Sequence, residues 1–402
     1  MPKRAGASTV LFGAFDRHNF GDLLFPHLFA AQLPGCRLDV RGLAARDLRR
    51  WGGHDVRPLA PGAARLVHVG GELLTCTAWQ AAVMLQSPAE AARVNARYDA
   101  DPTAAAGWAA QTLGCTRSVP YVAGRALLAP GGKLIFNAVG GVEFALLPLA
   151  LQDEVTAALR GADWLSVRDR VTQAALREAG IDAPLCPDPA VMVRQCLDDT
   201  IRRHGDDEPV CALRKAYPNG YLACQFSGDF ADDASLDALA RGLLEAASEH
   251  GLGVVLFRAG AAPWHDDATL YARLLQRLPR GMAQAFDSLH LWDLCALIAA
   301  SRGVVASSLH ARLVALAYAL PRVSLALPQQ HGRPGKVAAW AATWEPPEMP
   351  GTVPVDALPA AVRQALGVPA DVMQDNAATL CVRYQEQFAH WARLLPCARV
   401  GQ

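Results

Sequence analysis

Along this chain, short apolar or β-branched runs alternate with longer stretches in which apolar residues recur at helical spacing. The alternation is that of βα units around a parallel sheet, since a strand buried on both faces reads as a continuous apolar run and each crossover helix shows one apolar stripe. The first series predicts a strand over 8–15, a helix over 21–33, strands over 64–70 and 133–139, a helix over 148–161, a strand over 163–168 and a helix over 170–179 stopped by Gly180. A short strand near 185 precedes Pro187-Asp188-Pro189. The second series predicts strands over 221–227, 253–258, 282–286, 303–307 and 322–327, with helices over 232–250, 266–277, 290–300 and 309–320 between them. Glycine and proline mark the strand ends, where α/β sheets place their ligands.

Between 197 and 219 the pattern lapses into a charged, proline-containing stretch, the expected domain junction. The fold class is therefore α/β, with an N-terminal Rossmann-like domain over 1–205 and a C-terminal one over 218–369, their parallel sheets expected to face each other across a cleft. The last segment, 370–402, holds a helix with no strand after it and is expected to cross back and complete the first domain. Segments 75–125 and 342–358 read as surface loops, the natural place for acceptor recognition. No internal repeat or low-complexity tract is visible.

A length of 402 residues suits two mid-sized cores better than one. The balance of 38 Lys+Arg against 38 Asp+Glu excludes a surface built to grip nucleic acid or an anionic membrane. Lysine occurs only at Lys3, Lys133, Lys215 and Lys336, so the cations are almost all arginines, the better forks for carboxylate and phosphate. Ten cysteines without a CxxC pair form neither a zinc framework nor a disulfide scaffold and fit a reducing cytosol. No apolar run reaches about 18 residues, so a cytoplasmic protein with at most peripheral membrane association is expected. Asp188, His265, Asp266 and Asp267 are available metal ligands, but no spacing calls for a cation, and neither metal nor cofactor is expected. Nothing specifies an oligomeric state.

Four segments could carry chemistry. Gly13 to Asp22 joins the first strand to its helix; Asn19 and Asp22 there fit either helix caps or ligand contacts, and the segment is not the G-x-G-x-x-G fingerprint. Gly70-Gly71-Glu72 and Asn137 through Gly140-Gly141-Val142-Glu143 place glycines and a carboxylate at strand ends. Such a carboxylate can hold a sugar hydroxyl or act as a base, or simply complement a helix dipole. In Ser166-Val167-Arg168-Asp169-Arg170, Arg168 is placed to clamp an anion, or to form a surface pair with Asp169. In Ser307-Ser308-Leu309-His310-Ala311-Arg312, His310 falls in the first turn of a deeply buried helix. There the dipole lowers an imidazole pKa and a bound anion raises it, which suits an acid or base as well as a structural histidine.

Taken in order, these motifs resemble the polysaccharide pyruvyl transferase family. The resemblance rests on Asn19-Phe20-Gly21-Asp22, Val69-Gly70-Gly71, Ser166-Val167-Arg168-Asp169, Pro187-Asp188-Pro189-Ala190 and Leu309-His310-Ala311 leading to Leu320-Pro321, and spans about 8 to 327. It implies a GT-B-like pair of domains, phosphoenolpyruvate as donor, a sugar of a glycan or its lipid-linked precursor as acceptor, and a pyruvate ketal and phosphate as products. By the same resemblance Arg168 holds the donor and His310 is acid or base, with Ser307, Ser308 and Leu309 at the donor's anionic groups. The first domain is the acceptor side, with Asn19, Asp22, Glu72, Asn137 and Glu143 as candidates. One position departs: Ser308 stands where the family usually has arginine, so Arg312 or Arg258 is expected to supply the missing charge. The alternatives are a GT-B glycosyltransferase using a nucleotide sugar, whose diphosphate could rest at Ser308, and a non-catalytic relative that binds a glycan or small metabolite.

Overall fold

The computed structural model describes residues 8–327 and 334–395. Contacts divide the chain into a first unit of Met1–His18, Asp22–Pro189 and Val382–Gln402, and a second of Asn19–Gly21 and Ala190–Cys381.

The first unit is built on strands β1 (Thr9–Phe12), β2 (Leu38–Gly42), β3 (Arg46–Asp47), β4 (Asp55–Pro58), β5 (Ala63–His68), β6 (Leu128–Val139) and β7 (Trp164–Val167), in the order β3-β4-β2-β1-β5-β6-β7. All pairings are parallel except β3 with β4. The central strand β1 is buried at every residue, as its unbroken apolar sequence requires. Asp169 caps helix Arg170–Glu178 by accepting the Thr172 N–H at 2.7 Å, and Gly180, at φ 75°, follows its end.

The second unit carries β8 (Tyr221–Gln225), β9 (Gly253–Phe257), β10 (Ala283–Phe286), β11 (Gly303–Ala306), β12 (Arg322–Leu325) and β13 (Thr352–Val353) in the order β10-β9-β8-β11-β12-β13, all parallel. Its first strand lies in the middle, later strands extending the sheet in both directions, which is the Rossmann order.

The long helix Ala370–Ala392 serves both units. In the second, Met373 joins the core and the Asn376 amide donates to the Trp344 carbonyl at 2.9 Å. In the first, the Trp391 ring stacks on Phe29 and its N–H donates to Asn137 Oδ1 at 3.0 Å.

Three expectations change. The break between units falls at Pro189/Ala190 rather than within the charged stretch, because helix Val193–Asp206 buries Val193 and Ile201 and packs on helix Leu291–Ala299. The span 75–125 contains helices Ala78–Met84, Pro88–Tyr98 and Pro102–Leu113 rather than loop alone. The span 342–358 holds the end of helix Lys336–Trp344, the edge strand β13 and the buried Glu345 side chain, so it contributes to the second unit's sheet and core and is not a loop alone. Among the described residues eight cysteines are free and Cys36 is disulfide-bonded.

Candidate functional site

In the second unit the strand order reverses between the parallel strands β8 and β11, and an open α/β sheet forms its ligand crevice at the carboxyl ends of such a pair. Gln225 ends β8 and Ser307 follows β11. The Gln225 side chain, 2% exposed, organises both loops. Its Oε1 accepts the Ser308 N–H at 2.8 Å and the Ser307 hydroxyl at 3.3 Å, while its Nε2 donates to Asp266 at 2.6 Å. Ser307 Oγ in turn accepts the Ser227 N–H at 2.9 Å. Ser308 is the N-cap of helix Leu309–Ala317, accepting the Ala311 N–H. Leu309 anchors that helix in the interior, and His310, 8% exposed, sits in its first turn.

Asn19–Gly21 belong to this same cluster. The Phe20 N–H donates to the Ala259 carbonyl at 2.9 Å. Asn19 Oδ1 accepts the Gly21 N–H at 3.1 Å, and its Nδ2 lies 3.3 Å from His265 Nε2. His265 Nδ1 is 3.1 Å from the Pro263 carbonyl, so it carries the proton there and Nε2 accepts from Asn19. Gly21 lies directly against His310: a Cβ at this position would overlap Cγ and Nδ1 of the imidazole.

Two charged groups complete the cluster. Burial pushes the Asp266 carboxyl up to about 7, against the hydrogen bonds from Ala259, Gln225 and Gly260 and the charge of Arg258, all of which favour the ionised form. Arg258, half-buried just after β9, makes no ion pair with a described carboxylate. Arg312 lies elsewhere: it is 1% exposed, bonds Glu345 with two guanidinium nitrogens, and donates to Ser324 at 3.1 Å and the Pro350 carbonyl at 2.7 Å. Two helical residues separate by about 200°, so Arg312 leaves the helix on the side opposite His310 and cannot supply the charge missing at Ser308.

In the first unit the corresponding reversal is between β1 and β5. After β1, the buried Asp16 accepts the Leu43 and Ala44 N–H groups at 2.5 and 3.0 Å and the Tyr121 hydroxyl at 2.8 Å. Burial raises its pKa, opposed by Arg17 and these hydrogen bonds. Beyond β5, Gly70 and Gly71 adopt φ of 121° and 89°, turns that exclude other residues. Glu72 follows, its Oε1 accepting the Val142 N–H at 2.7 Å and its Oε2 pairing with Arg168 at 2.5 Å. Arg168, 1% exposed, also pairs with Asp188 at 3.1 Å.

The expected candidates therefore separate. Arg168 is buried between Glu72 and Asp188 and pairs with both, unlike an open anion clamp or a surface pair with Asp169. Asn137 is fully buried and engaged by Trp391 and Tyr384, which places it in the packing of the last helix. Glu143 is exposed, and Asp22 is buried in the first turn of helix Phe20–Gln32, near Gly71. Asn19 joins the His310 cluster rather than the Glu72 group. Gln225 and Asp16 were not singled out by the sequence, although each lies at or just beyond a strand end next to small residues, a position that marks site residues in α/β sheets.

Two parallel-sheet α/β units with polar clusters at their strand reversals define a GT-B-type protein. Solved structures agree. A protein from Listeria monocytogenes assigned as a UDP-N-acetylglucosamine 2-epimerase matches with a TM-score of 0.53 at 11% identity over 99% of each chain. The UDP-GlcNAc 2-epimerase of Methanocaldococcus jannaschii matches with a TM-score of 0.50 at 11% identity, over 94% of this chain and 99% of that one. At such identities the likeness is one of fold. No curated protein matches the sequence. Residues 19–327 match the polysaccharide pyruvyl transferase family, and the chain belongs to that family of transferases. Among the described residues no helix is long and apolar enough to cross a membrane.

Proposed function

We propose that the chain transfers a pyruvyl group from phosphoenolpyruvate to two hydroxyls of a sugar acceptor, forming a ketal and releasing phosphate. The observation that carries this reading is His310, held in the first turn of a buried helix at the β8/β11 reversal, in the same unit as Arg258, a cation that forms no ion pair with a described carboxylate and whose charge reaches the largely desolvated Asp266. A helix start together with a guanidinium held outside any ion pair suits a donor that bears both carboxylate and phosphate.

In the reaction, His310 delivers a proton to the enol methylene, leaving an oxocarbenium-like centre at the adjacent carbon. One sugar hydroxyl attacks that carbon and gives up its proton, the bond to phosphate breaks, and the second hydroxyl closes the ketal. Of the two hydroxyl protons, one replaces that spent on the methyl group and the other leaves with phosphate. Arg258 and the helix start neutralise the anionic groups throughout. Arg168 fixes Glu72 so that its partly exposed carboxylate can take an acceptor hydroxyl, with Asp22 nearby on the same unit. The acceptor is a sugar of a glycan or of a lipid-linked precursor.

Ser308 favours a second reading, a nucleotide-sugar donor, because a capping hydroxyl adds no charge to the site. Incubation with phosphoenolpyruvate and a panel of glycosides separates the two. Acceptor-dependent phosphate release with a ketal product is expected, and His310→Ala should abolish it with the fold retained. Ser308→Arg should cost about 1 kcal/mol of stability through the lost cap, yet lower the KM for phosphoenolpyruvate. No turnover, together with a melting temperature raised by nucleotide sugars and not by phosphoenolpyruvate, would replace this reading with the second.

A further inference from the structure

We propose that His204, His290 and Asp293 form a binding site for one divalent transition metal of the zinc type. The three come from two stretches of the second unit: His204 from the last turn of helix Val193–Asp206, and His290 and Asp293 from the N-cap and first turn of helix Leu291–Ala299. One ligand atom from each lies within 4.8 Å of the others. His204 Nδ1 is 2.6 Å from Asp293 Oδ1, and His290 Nδ1 is 4.0 Å from the same oxygen. The two imidazoles stack at 5.0 Å with 16° between their planes. Both rings thus present Nδ1 to one carboxylate oxygen.

Two further observations favour a ligand here over a simple hydrogen-bonded pair. His290 Nδ1 is buried and has no hydrogen-bond partner among the described residues, an arrangement that costs free energy unless something occupies the space before it. The carboxylate is also oriented from behind. The Ser288 hydroxyl donates to Asp293 Oδ2 at 2.5 Å and its oxygen accepts the His290 N–H at 3.1 Å, so Oδ1 is left to face the imidazoles. Such outer hydrogen bonds are what fix metal-binding side chains.

The donor set selects the ion. Two imidazole nitrogens and one carboxylate oxygen suit zinc and its neighbours, whereas calcium and magnesium require more oxygens. With bonds near 2.0–2.2 Å in a tetrahedron, ligand atoms sit about 3.3 Å apart. The observed 2.6 and 4.0 Å bracket that spacing, and on binding the stacked imidazoles would turn about χ2 until both Nδ1 lone pairs meet at the ion, with water as the fourth ligand. The metal would replace the proton that His204 shares with Asp293 and pin helix Val193–Asp206 to helix Leu291–Ala299. The latter packs on the helix that bears His310. The role is structural and independent of the transfer reaction.

The full chain, freed of metal by chelator and dialysed, is titrated with Zn²⁺ alone against a chromogenic competitor, with melting temperature read in parallel. One tightly held ion per chain and a raised melting temperature are expected. His290→Gln leaves the His204–Asp293 hydrogen bond in place, and should weaken binding at least about 100-fold and remove the thermal shift. Co²⁺ substituted into the unaltered chain should show the visible bands of a four-coordinate nitrogen and oxygen site. Absence of stoichiometric Zn²⁺ binding, binding that survives His290→Gln, or a thiolate charge-transfer band that moves the metal to cysteine would each overturn the proposal.

Discussion

Gly21 shows how a residue can be required for the room it leaves. Its φ is not in the left-handed region, so backbone freedom is not the reason for glycine. The reason is the His310 imidazole, which occupies the space where a Cβ would stand. Asn19-Phe20-Gly21-Asp22 was legible as a motif, yet its partner is almost 300 positions away, beyond the reach of any local pattern. Gly21→Ala should displace the ring by about an ångström and lower turnover roughly 100-fold, since a misplacement of that size is enough. A near-normal KM for phosphoenolpyruvate with a collapsed kcat would place the damage at the proton carrier. Full activity would show that the ring does not act where it lies. Ser308 gives the complementary lesson: its hydroxyl caps the helix, a role that the sequence allowed and the family pattern alone did not reveal.

At the level of elements, buried arginines bind distant segments together, and this decides which cations remain for a ligand. Glu345 accepts from both Arg312 and Arg322, and these two guanidiniums hold its carboxyl below the ordinary value despite the burial that opposes them. All three side chains are at most 3% exposed. Glu345→Gln would leave two buried guanidiniums without a counter-charge, and a loss of about 3–5 kcal/mol in urea unfolding is expected; a loss under 1 kcal/mol would mean water already reaches the network. The strands that build this framework were readable because each is a buried, mostly apolar run with glycine at one end, as in β1, β8 and β11. Arg312–Glu345 was not, because a charge names no partner 33 residues on. The helices within 75–125 were missed although Thr77, Ser87 and Asp101 each cap one, and Pro88 and Pro102 open two of them. Cap followed by proline was the available signal, masked by alanine-rich stretches whose apolar stripe is weak. Helix Val193–Asp206 was hidden differently: its charges outnumber the two buried residues, so an amphipathic helix looked like a linker.

Over the whole molecule, 38 cations against 38 anions leave no large self-repulsion at neutral pH, so its response to mild acid depends on buried groups. Buried histidines and buried carboxyls act in opposite directions, as two histidines of the first unit and one carboxyl of the second show. In the first, burial lowers His68 and His54 to about 3; His68 accepts the Ala123 N–H at 3.0 Å and has Phe136 stacked on it at 3.9 Å. The unfolded chain takes up protons at these sites near 6.5 while the folded chain does not. Their contribution is therefore fully present above 6.5 and is lost progressively as pH falls toward 3, by up to about 1.4 kcal/mol per pH unit for each group. In the second, Asp266 is raised to about 7, so its contribution is present at low pH and is lost as pH rises from 3.8 through 7. Acid should thus draw on the stability that the buried His68 and His54 supply while leaving that of Asp266 in place. Scanning calorimetry of the full chain between pH 4 and 8 tests this with two variants. His68→Gln, which keeps an acceptor for the Ala123 N–H, should flatten the fall in melting temperature between pH 6.5 and 4.5; Asp266→Asn should flatten the fall between pH 5 and 7. Parallel curves for His68→Gln and the unaltered chain would show that the imidazole takes its proton in the folded state, and that the core around β5 and β6 admits water.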